Sequence, residues 1–294
     1  MLTECIQVIP KIANFFGLGR ILKIRPAGGD ANVNFFVKTE KGRYFIKIVA
    51  EPYTKHNKAK ETYYVSYLAN RNLPVVRYIP TTDGEVVFQG DGIVAMVQRA
   101  ISGCNPIPNL VTVKQVGHFL GTMHNLPFRS VPQRHGWLSP EVYINSLSQI
   151  ATLKNQAVHQ ILDAYESCRE FADNVLPKLP NSVIHGDLHY GNVLFRKNKL
   201  IAVVDWEDSM IGASLLDFVS SAAYWCFEDG RIRPRLYGAL FESYISVRPF
   251  TDAEVRYLPD CLRYVGVIQT IWRFINSGHY KKDLLWGLRL KIPA

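Results

Sequence analysis

Polar residues interrupt an otherwise apolar stretch at His185-Gly186-Asp187-Leu188-His189-Tyr190-Gly191-Asn192. After a turn at Lys197-Asn198-Lys199, the apolar run 200–204 ends in Asp205. A carboxylate at the end of a buried strand needs a partner, because an unpaired buried charge is costly. Asp187, Asn192 and Asp205 together offer a base and two oxygen ligands suited to Mg2+, a hard cation. Phosphoryl transfer uses such a set. One carboxylate orients the attacking hydroxyl and accepts its proton, while an Asn and a second Asp hold metal against phosphates. A second chemistry is open to the same stretch. His185, Asp187 and His189 alternate, so an extended chain presents three metal ligands on one face, as a metal-dependent hydrolase requires. That site needs a further close ligand. His118 and His124 are six apart, off the i, i+4 spacing of paired helical ligands.

The elements that must position these residues fall into two kinds. Apolar runs at 33–39 and 43–49, joined by Glu40-Lys41-Gly42, predict a hairpin. Runs at 85–89 and 93–98 around Gly90-Asp91-Gly92 predict another. Between them, 57–71 has helical spacing, with Tyr64, Tyr67, Leu68 and Arg71 on one side and Pro74 beyond. Residues 1–97 thus read as a small antiparallel sheet with at least one helix packed on it. The pattern changes after Gly103-Cys104-Asn105-Pro106. Thr112 and Gln115 fit a capping box, followed by Val113, Val116, Leu120 and Met123 at helical spacing. Ser139-Pro140 reads as a helix start. Val158, Ile161, Leu162 and Tyr165 mark a further helix, and the last 60 residues read as mostly helical. The expected division is an N-terminal lobe over 1–97, a hinge over 98–103 and a C-terminal lobe over 104–294. Ligands often bind at such junctions.

Composition narrows the class. Of the 294 residues, 48% are hydrophobic, which excludes a disordered chain. The net charge is +9, and residues 1–80 hold 13 Lys+Arg against 5 Asp+Glu while the remainder holds 21 against 20. A basic first quarter suits the phosphates of a nucleotide, a nucleic acid or a membrane surface, and charge alone does not choose. No nucleic-acid motif is present. No apolar run reaches the roughly 18 residues of a membrane span. Met1-Leu2-Thr3-Glu4 puts no basic residue ahead of the first apolar stretch, against a secretory signal. Cys5, Cys104, Cys168, Cys226 and Cys261 are odd in number and lack Cys-x-x-Cys spacing. They read as reduced thiols of a cytoplasmic protein.

The pair of motifs His185-Gly186-Asp187-x-x-x-x-Asn192 and Val204-Asp205-Trp206-Glu207 resembles the aminoglycoside phosphotransferase and choline kinase superfamily. The resemblance spans nearly the whole chain. It implies an α+β, protein-kinase-like fold of two lobes, with an antiparallel N-terminal sheet and a mostly helical C-terminal lobe. Asn32-Val33-Asn34-Phe35, Trp225-Cys226-Phe227-Glu228 and Ser246-Val247-Arg248-Pro249 look most like type II homoserine kinases.

The resemblance also implies roles. Asp187 orients the acceptor hydroxyl, and Asn192 and Asp205 bind Mg2+. Lys47, which alternation places on one face with Phe45 and Val49, meets the ATP α/β-phosphates and Glu61 from the following helix. Gln98, Arg99, Ala100 and Ile101 line the adenine pocket through unpaired backbone groups. Gly28 and Gly29 lie in a phosphate-covering loop, although the stretch is not Gly-x-Gly-x-x-Gly. Asp217 braces the catalytic loop, and His185 supports it by hydrogen bonds. His189, Glu207, Trp225 and Glu228 are candidates for substrate contact. Tyr190 stands where many relatives have Pro.

Asp217 follows Asp205 by only 12 positions, leaving little room for the long activation segment of a protein kinase. Small acceptors are therefore favoured. The full set of catalytic polar residues argues against a non-catalytic nucleotide-binding pseudokinase. Residues 206–294 hold 10 Asp+Glu and 11 Lys+Arg, which gives no acidic field for a polycationic aminoglycoside. Arg231, Arg233, Arg263 and Arg273 are available to a carboxylate. The expectation is a homoserine-kinase-like enzyme using ATP and Mg2+, with aminoglycosides, choline and ethanolamine as alternative acceptors. No nucleic-acid or membrane partner is expected.

Overall fold

The computed structural model of the chain describes residues 2–28, 32–49, 55–134, 136, 138–139, 143–144, 147, 156–228 and 231–277. The chain divides into two units, Met1–Gly103 with Ile201–Glu207, and Cys104–Leu200 with Asp208–Ala294.

The first unit is built on a sheet. Strands β1 (Ile21–Ala27), β2 (Val33–Thr39), β3 (Gly42–Val49), β4 (Phe88–Gly90) and β5 (Ile93–Arg99) pair in the order β1-β2-β3-β5-β4. The first expected hairpin forms, with register running from Val33↔Ile48 to Thr39↔Gly42. The second is shorter than its apolar run, and Asp91 (φ 53°) and Gly92 (φ 73°) turn it. Pro26 cannot donate to a ladder, and β1 that carries it is an edge strand.

Alternation sorts the strands into two faces. Phe35, Val37, Tyr44, Ile46, Ile48, Ala95 and Val97 are buried together with Cys5, Ile9, Ile12 and Ala13 of helix α1 (Leu2–Phe15). The sequence reading did not foresee α1, because Pro10 sits in its middle. Lys47 therefore projects from the face opposite α1, between Asn34 and Met96 in the ladder. Helix α2 (Lys55–Ala69) starts two residues before its apolar spacing does and buries Tyr64, Val65 and Leu68. The segment 201–207 joins this unit through its backbone. Val203 N donates to Pro74 O at 2.7 Å, and Val76 N donates to Val203 O at 3.2 Å.

The second unit is mainly helical. Helix α3 (Leu110–His124) starts earlier than the Thr112–Gln115 capping box requires. Asn109 is the true cap: its side chain accepts from Val111 N and Thr112 N, and Thr112 Oγ1 accepts from Asn109 N in return. Gln115 is thereby released for another task. Its Nε2 donates to Asn198 O at 2.7 Å and its Oε1 accepts from Leu200 N at 2.9 Å. This clamps the turn at Lys197 and Asn198, both in left-handed conformation.

Helix α4 (Gln156–Glu166) corresponds to the periodic stretch around Val158, whereas Pro140 lies outside the described residues. Strands β6 (Asn181–Ile184) and β9 (Met210–Ala213) pair antiparallel, and between them in sequence come β7 (Val193–Arg196) and β8 (Lys199–Val203). Helix α5 (Ser214–Cys226) is buried along nearly its whole length. Helices α6 (Pro234–Ile245) and α7 (Asp252–Ser277) make up the described part of the helical C-terminal stretch.

Gly117 and Gly121 let α3 approach α6 closely. A Cβ at Gly117 would stand 2.3 Å from Leu240 O, and one at Gly121 would stand 2.8 Å from Tyr244 O. Gly117→Ala should therefore destabilise the protein by about 1–3 kcal/mol, as overpacking does. Gly238→Ala is its control. That glycine lies within α6 and has nothing within 4 Å of an added Cβ. Better helix propensity should make this change neutral or stabilising by up to about 1 kcal/mol. Urea midpoints of the two variants check both outcomes.

Candidate active site

Strand β6 ends at Ile184 and delivers His185, Gly186 and Asp187 into a loop. Asp217, in the first turn of α5, fixes that loop from inside. His185 N donates to its Oδ2 and Gly186 N to its Oδ1, each at 2.9 Å. His124 Nε2 lies 3.1 Å from Oδ2. A carboxylate accepts only, so the imidazole proton sits on Nε2, and Nδ1 accepts from Tyr244 Oη at 2.9 Å. Tyr244 Oη accepts in turn from Arg248 Nη1 at 3.1 Å, and Arg248 Nη2 donates to Glu254 at 2.9 Å. The donors thus run one way, from Arg248 to Asp217. Burial opposes the Asp217 charge, but the His124 bond and the donors around His185 outweigh it and hold the carboxyl below its usual range. Burial likewise pushes the His124 pKa down, in keeping with a neutral ring.

Gly186 has φ +85°, and a Cβ there would stand 2.6 Å from Asp208 O. The next residue, Asp187, donates its N–H to His185 Nδ1 at 3.2 Å. Its Oδ2 accepts from Asn192 Nδ2 at 3.2 Å, and Asn192 Nδ2 also donates to Asp187 O at 2.9 Å. Both partners are acceptors, which identifies Nδ2 and turns Asn192 Oδ1 away from them. His189 Nδ1 accepts from Gly191 N at 3.0 Å and caps the turn Tyr190–Asn192. Its Nε2 then carries the proton, 3.5 Å from Asp187 Oδ2. The Tyr224 hydroxyl also hydrogen-bonds Asp187. The result is an oriented, partly exposed carboxylate.

The first unit holds a cluster of alternating charge. Lys47 Nζ lies 2.5 Å from Asp205 Oδ1 and 2.7 Å from Glu207 Oε2. Burial works against this ammonium, but Asp205, Glu61 and Glu207 outweigh it and raise the pKa above the usual lysine value. Asp205 has φ +63°, a left-handed conformation that Asp tolerates better than most residues. Buried Trp206 supports the turn by donating Nε1–H to Val203 O at 3.1 Å. The Asp205 side chain is 40% exposed against 10% for Lys47, so it is open to a cation.

Lys47 and Glu61 do not form the direct pair expected of them. Lys58, three residues earlier on α2, gives Glu61 a nearer ammonium at 2.8 Å, and Tyr78 Oη donates to its other oxygen at 2.7 Å. Lys58 also lies 3.6 Å from Glu207. Asn32 Nδ2 donates to Glu207 Oε2 at 2.8 Å. Burial opposes the Glu207 charge, but Lys47 and Lys58 hold its pKa below the usual carboxylate range.

Other sequence candidates fall less centrally. Gln98 and Arg99 lie in β5 opposite Phe45 and Tyr44, and Ala100 N–H, expected to be free, donates to Arg43 O at 3.0 Å. Ile101 follows them, half-buried. Gly28 O accepts from Asn34 Nδ2 at 3.1 Å, and Gly29 lies outside the described residues. Trp225 is wholly buried and offers a substrate no surface; its Nε1 donates to Leu188 O at 2.8 Å and so supports the Asp187 loop. Glu228 is exposed, opposite Arg231 in a short hairpin.

Sequence reasoning missed Lys58, Tyr78 and Tyr224, and weighed His124 only as a metal ligand. The i, i+3 spacing of Lys58 and Glu61 was the one local signal. The ring nitrogens His185 Nδ1 and His189 Nδ1 each accept a backbone N–H rather than converge on a metal. Among the described residues, no group of three or more His, Cys, Asp or Glu could hold a metal ion, and no helix is long and apolar enough to cross a membrane. Asp205 in the first unit and Asn192 in the second each present, taken separately, an oxygen of the hard kind that Mg2+ takes.

A model of the phosphotransferase enzyme family matches residues 23–258. The homoserine kinase of Pseudomonas aeruginosa is 28% identical over 265 residues, covering 89% of this chain and 84% of that protein. Among solved structures, an amicoumacin kinase in complex with AMP-PNP and Ca2+ matches with a TM-score of 0.74 at 13% identity, covering 95% of this chain and 89% of that one. A microcompartment-associated aminopropanol kinase matches with a TM-score of 0.67 at 15% identity, covering 96% and 93%. The chain belongs to the phosphotransferase enzyme family. It is a kinase acting on hydroxyl groups, and its fold is the protein-kinase-like α+β fold that the motifs led us to expect.

Two predictions follow from the buried charges. Asp217→Asn replaces an acceptor-only group by one that must point an N–H at another donor. It should cost about 1.5–3 kcal/mol, the range for hydrogen bonds to a charged group, read as a lowered urea midpoint. Glu61 is buried, which opposes its charge, yet Lys58 and Lys47 lower its pKa from 4.5 to about 2. A depressed carboxyl contributes stability that is present above its unfolded value and is lost as pH falls through the folded one. Stability should therefore decline between pH 4.5 and about 2. Acid titration of Glu61→Gln, followed by circular dichroism, should show a shallower decline over that window.

Proposed function

We propose that this kinase transfers the γ-phosphoryl group of ATP to the hydroxyl of a small hydroxy amino acid, homoserine in the first instance. The observation that carries the reading is the Asp187 carboxylate, oriented by Asn192 Nδ2 and the Tyr224 hydroxyl on a loop that Asp217 braces. In this reading Asp187 aligns the acceptor hydroxyl and takes its proton late in the transfer. Lys47, raised firmly into its charged form, neutralises the α/β-phosphates. Glu61 and Lys58 keep Lys47 in place from behind through Glu207. Asp205 and Asn192, the residues to which the family resemblance assigns Mg2+, would hold the ion. When bound, the ion offsets the negative charge that builds on the phosphate oxygens. The remaining backbone groups of Gln98, Arg99 and Ile101 serve adenine. Positioning and charge neutralisation supply most of the rate.

Support for an amino-acid acceptor comes from two directions. The Pseudomonas aeruginosa relative acts on homoserine by its name. Of the four candidate arginines, Arg273 is the one in Coulombic reach of Tyr224, the residue bonded to Asp187. Arg231 lies opposite Glu228, Arg233 donates to Pro108 O, and Arg263 lies 3.9 Å from Asp260. Gln269, one turn before Arg273 on α7, has a buried Nε2 without a partner. Together these two side chains suit a carboxylate.

ADP release under Mg2+ is the test, with homoserine, choline, ethanolamine, several aminoglycosides and no acceptor. Homoserine should give the highest kcat/KM. Asp187→Asn should lower kcat by about 10²–10⁴-fold, the usual contribution of a general base, while ATP still binds. Asp205→Ala should weaken Mg·ATP binding. Wild-type turnover in Asp187→Asn would overturn the assignment.

A further inference from the structure

Four hydrogen bonds in a row join Glu254, at the start of α7, to the carboxylate that braces the Asp187 loop. Arg248, from the motif Ser246-Val247-Arg248-Pro249, stands second in that row. It is held firmly. Its backbone N donates to Tyr244 O at 3.0 Å, and Glu254, which also accepts from Thr251 N at 2.9 Å, accepts from its Nη2. From Arg248 onward the row begins in a group that only donates and ends in one that only accepts. A guanidinium does not lose its proton, and the Asp217 carboxylate has none to give. Tyr244 therefore accepts from Arg248 Nη1 and points its own proton at His124 Nδ1, which leaves the ring a single proton, on Nε2. A second ring proton would meet the Tyr244 hydroxyl hydrogen head-on and put a positive charge near Arg248. Burial lowers the ring's pKa most, Asp217 and Glu254 oppose it, and Arg248 lowers it further.

We infer that Arg248 is a positioning residue for the catalytic loop, acting through Tyr244 and His124 on Asp217 by keeping the His124 ring uncharged. The inference rests on the role given to Asp187 above. Its consequence lies at Asp217 Oδ2, which accepts from both His124 Nε2 and His185 N. An imidazolium binds a carboxylate roughly twice as strongly as a neutral ring does. A charged His124 would therefore draw Oδ2 away from His185 N. Gly186 N, on the other oxygen, would have to follow, and Asp187 is the next residue. Without Arg248, Tyr244 is able to turn and accept from Nδ1. The charged groups left facing the ring are then Asp217 of α5 and Glu254 of α7, both of which favour a proton there. His185, after β6, is the other titratable group in reach of Asp217.

The test uses the full chain and two readouts, the NMR shifts of the imidazole nitrogens and ADP release, each from about pH 5.5 to about pH 8, across the usual histidine range. His124→Gln, which offers Asp217 a donor that cannot charge, assigns the His124 signal. In the wild type that ring should keep its single proton on Nε2 throughout. Arg248→Met should let the ring charge as pH falls. Its kcat should then drop about tenfold on the acid side, within the reach of coupling through such a network, while KM for ATP and for the acceptor changes by less than about twofold. Arg248→Lys keeps the charge and should keep the wild-type profile. Adding His124→Gln to Arg248→Met should remove the acid step. If Arg248→Met does not fold, Arg248→Gln keeps a donor for Glu254, loses the charge and carries the same expectation. An acid step that survives His124→Gln would overturn the inference. So would a loss of kcat equal at every pH, or a wild-type ring that charges in this window with no loss of kcat. A chain that releases no ADP with any acceptor, yet whose His124 ring charges only when Arg248 is replaced, would leave the hold on His124 standing and sink the role of Asp187 instead.

Discussion

A carboxylate shut away from water must find all its donors within the chain, and Asp217 is such a group. Its three donors come from distant places: the backbone of His185 and Gly186, and the ring of His124 at the end of α3. Satisfying it fixes where β6 must end, where α5 must begin and how far α3 must reach. His124 needs Tyr244 in turn, which draws α6 against α3 across Gly117 and Gly121. Losing one hydrogen bond to such a charge costs about 1.5–3 kcal/mol, a sizeable part of the roughly 5–15 kcal/mol that holds a typical domain together. Helix packing and loop geometry in this unit are therefore one constraint seen from two sides.

The first unit obeys the same rule with mobile signs rather than fixed donors. Glu61, Lys58, Glu207, Lys47 and Asp205 alternate in charge, so each ion has an opposite neighbour. Lys58 occupies the place between Glu61 and Glu207. The extra cation lets three carboxylates sit around Lys47 without mutual repulsion deciding the outcome. The role proposed for Lys47 needs a charged lysine, and its carboxylate neighbours hold it in that form.

What the sequence disclosed was mostly local. His185-Gly186-Asp187 with Asn192, and Asp205 after its apolar run, belong to one continuous stretch, so spacing could place their chemistry. The β2–β3 hairpin was legible because a short connection with glycine separates two clear apolar runs. What escaped was settled by packing. Asp217 and His124 lie 93 residues apart, and no periodicity links them. Pro10 disguised α1, whose buried side nevertheless carries Ile9 and Ile12. Thr112 looked like a cap because it does take part in one, as the third residue of a helix that Asn109 begins. Tyr224 adjoins a segment that the sequence reading did quote, yet only the buried faces of α5 show that its hydroxyl, and not the Trp225 ring, meets Asp187.

The middle letter of His185-Gly186-Asp187 has a meaning apart from its neighbours. An added Cβ at Gly186 would stand 2.6 Å from Asp208 O, and one at Gly136 would stand 2.2 Å from the same oxygen. Two strands of chain thus rest on a single carbonyl, with no space for any side chain at either point. A transplanted loop that kept both acids and the amide but spent either glycine would carry the right functional groups on a displaced frame. Seen this way, the signature of the family encodes an empty volume as firmly as it encodes a carboxylate.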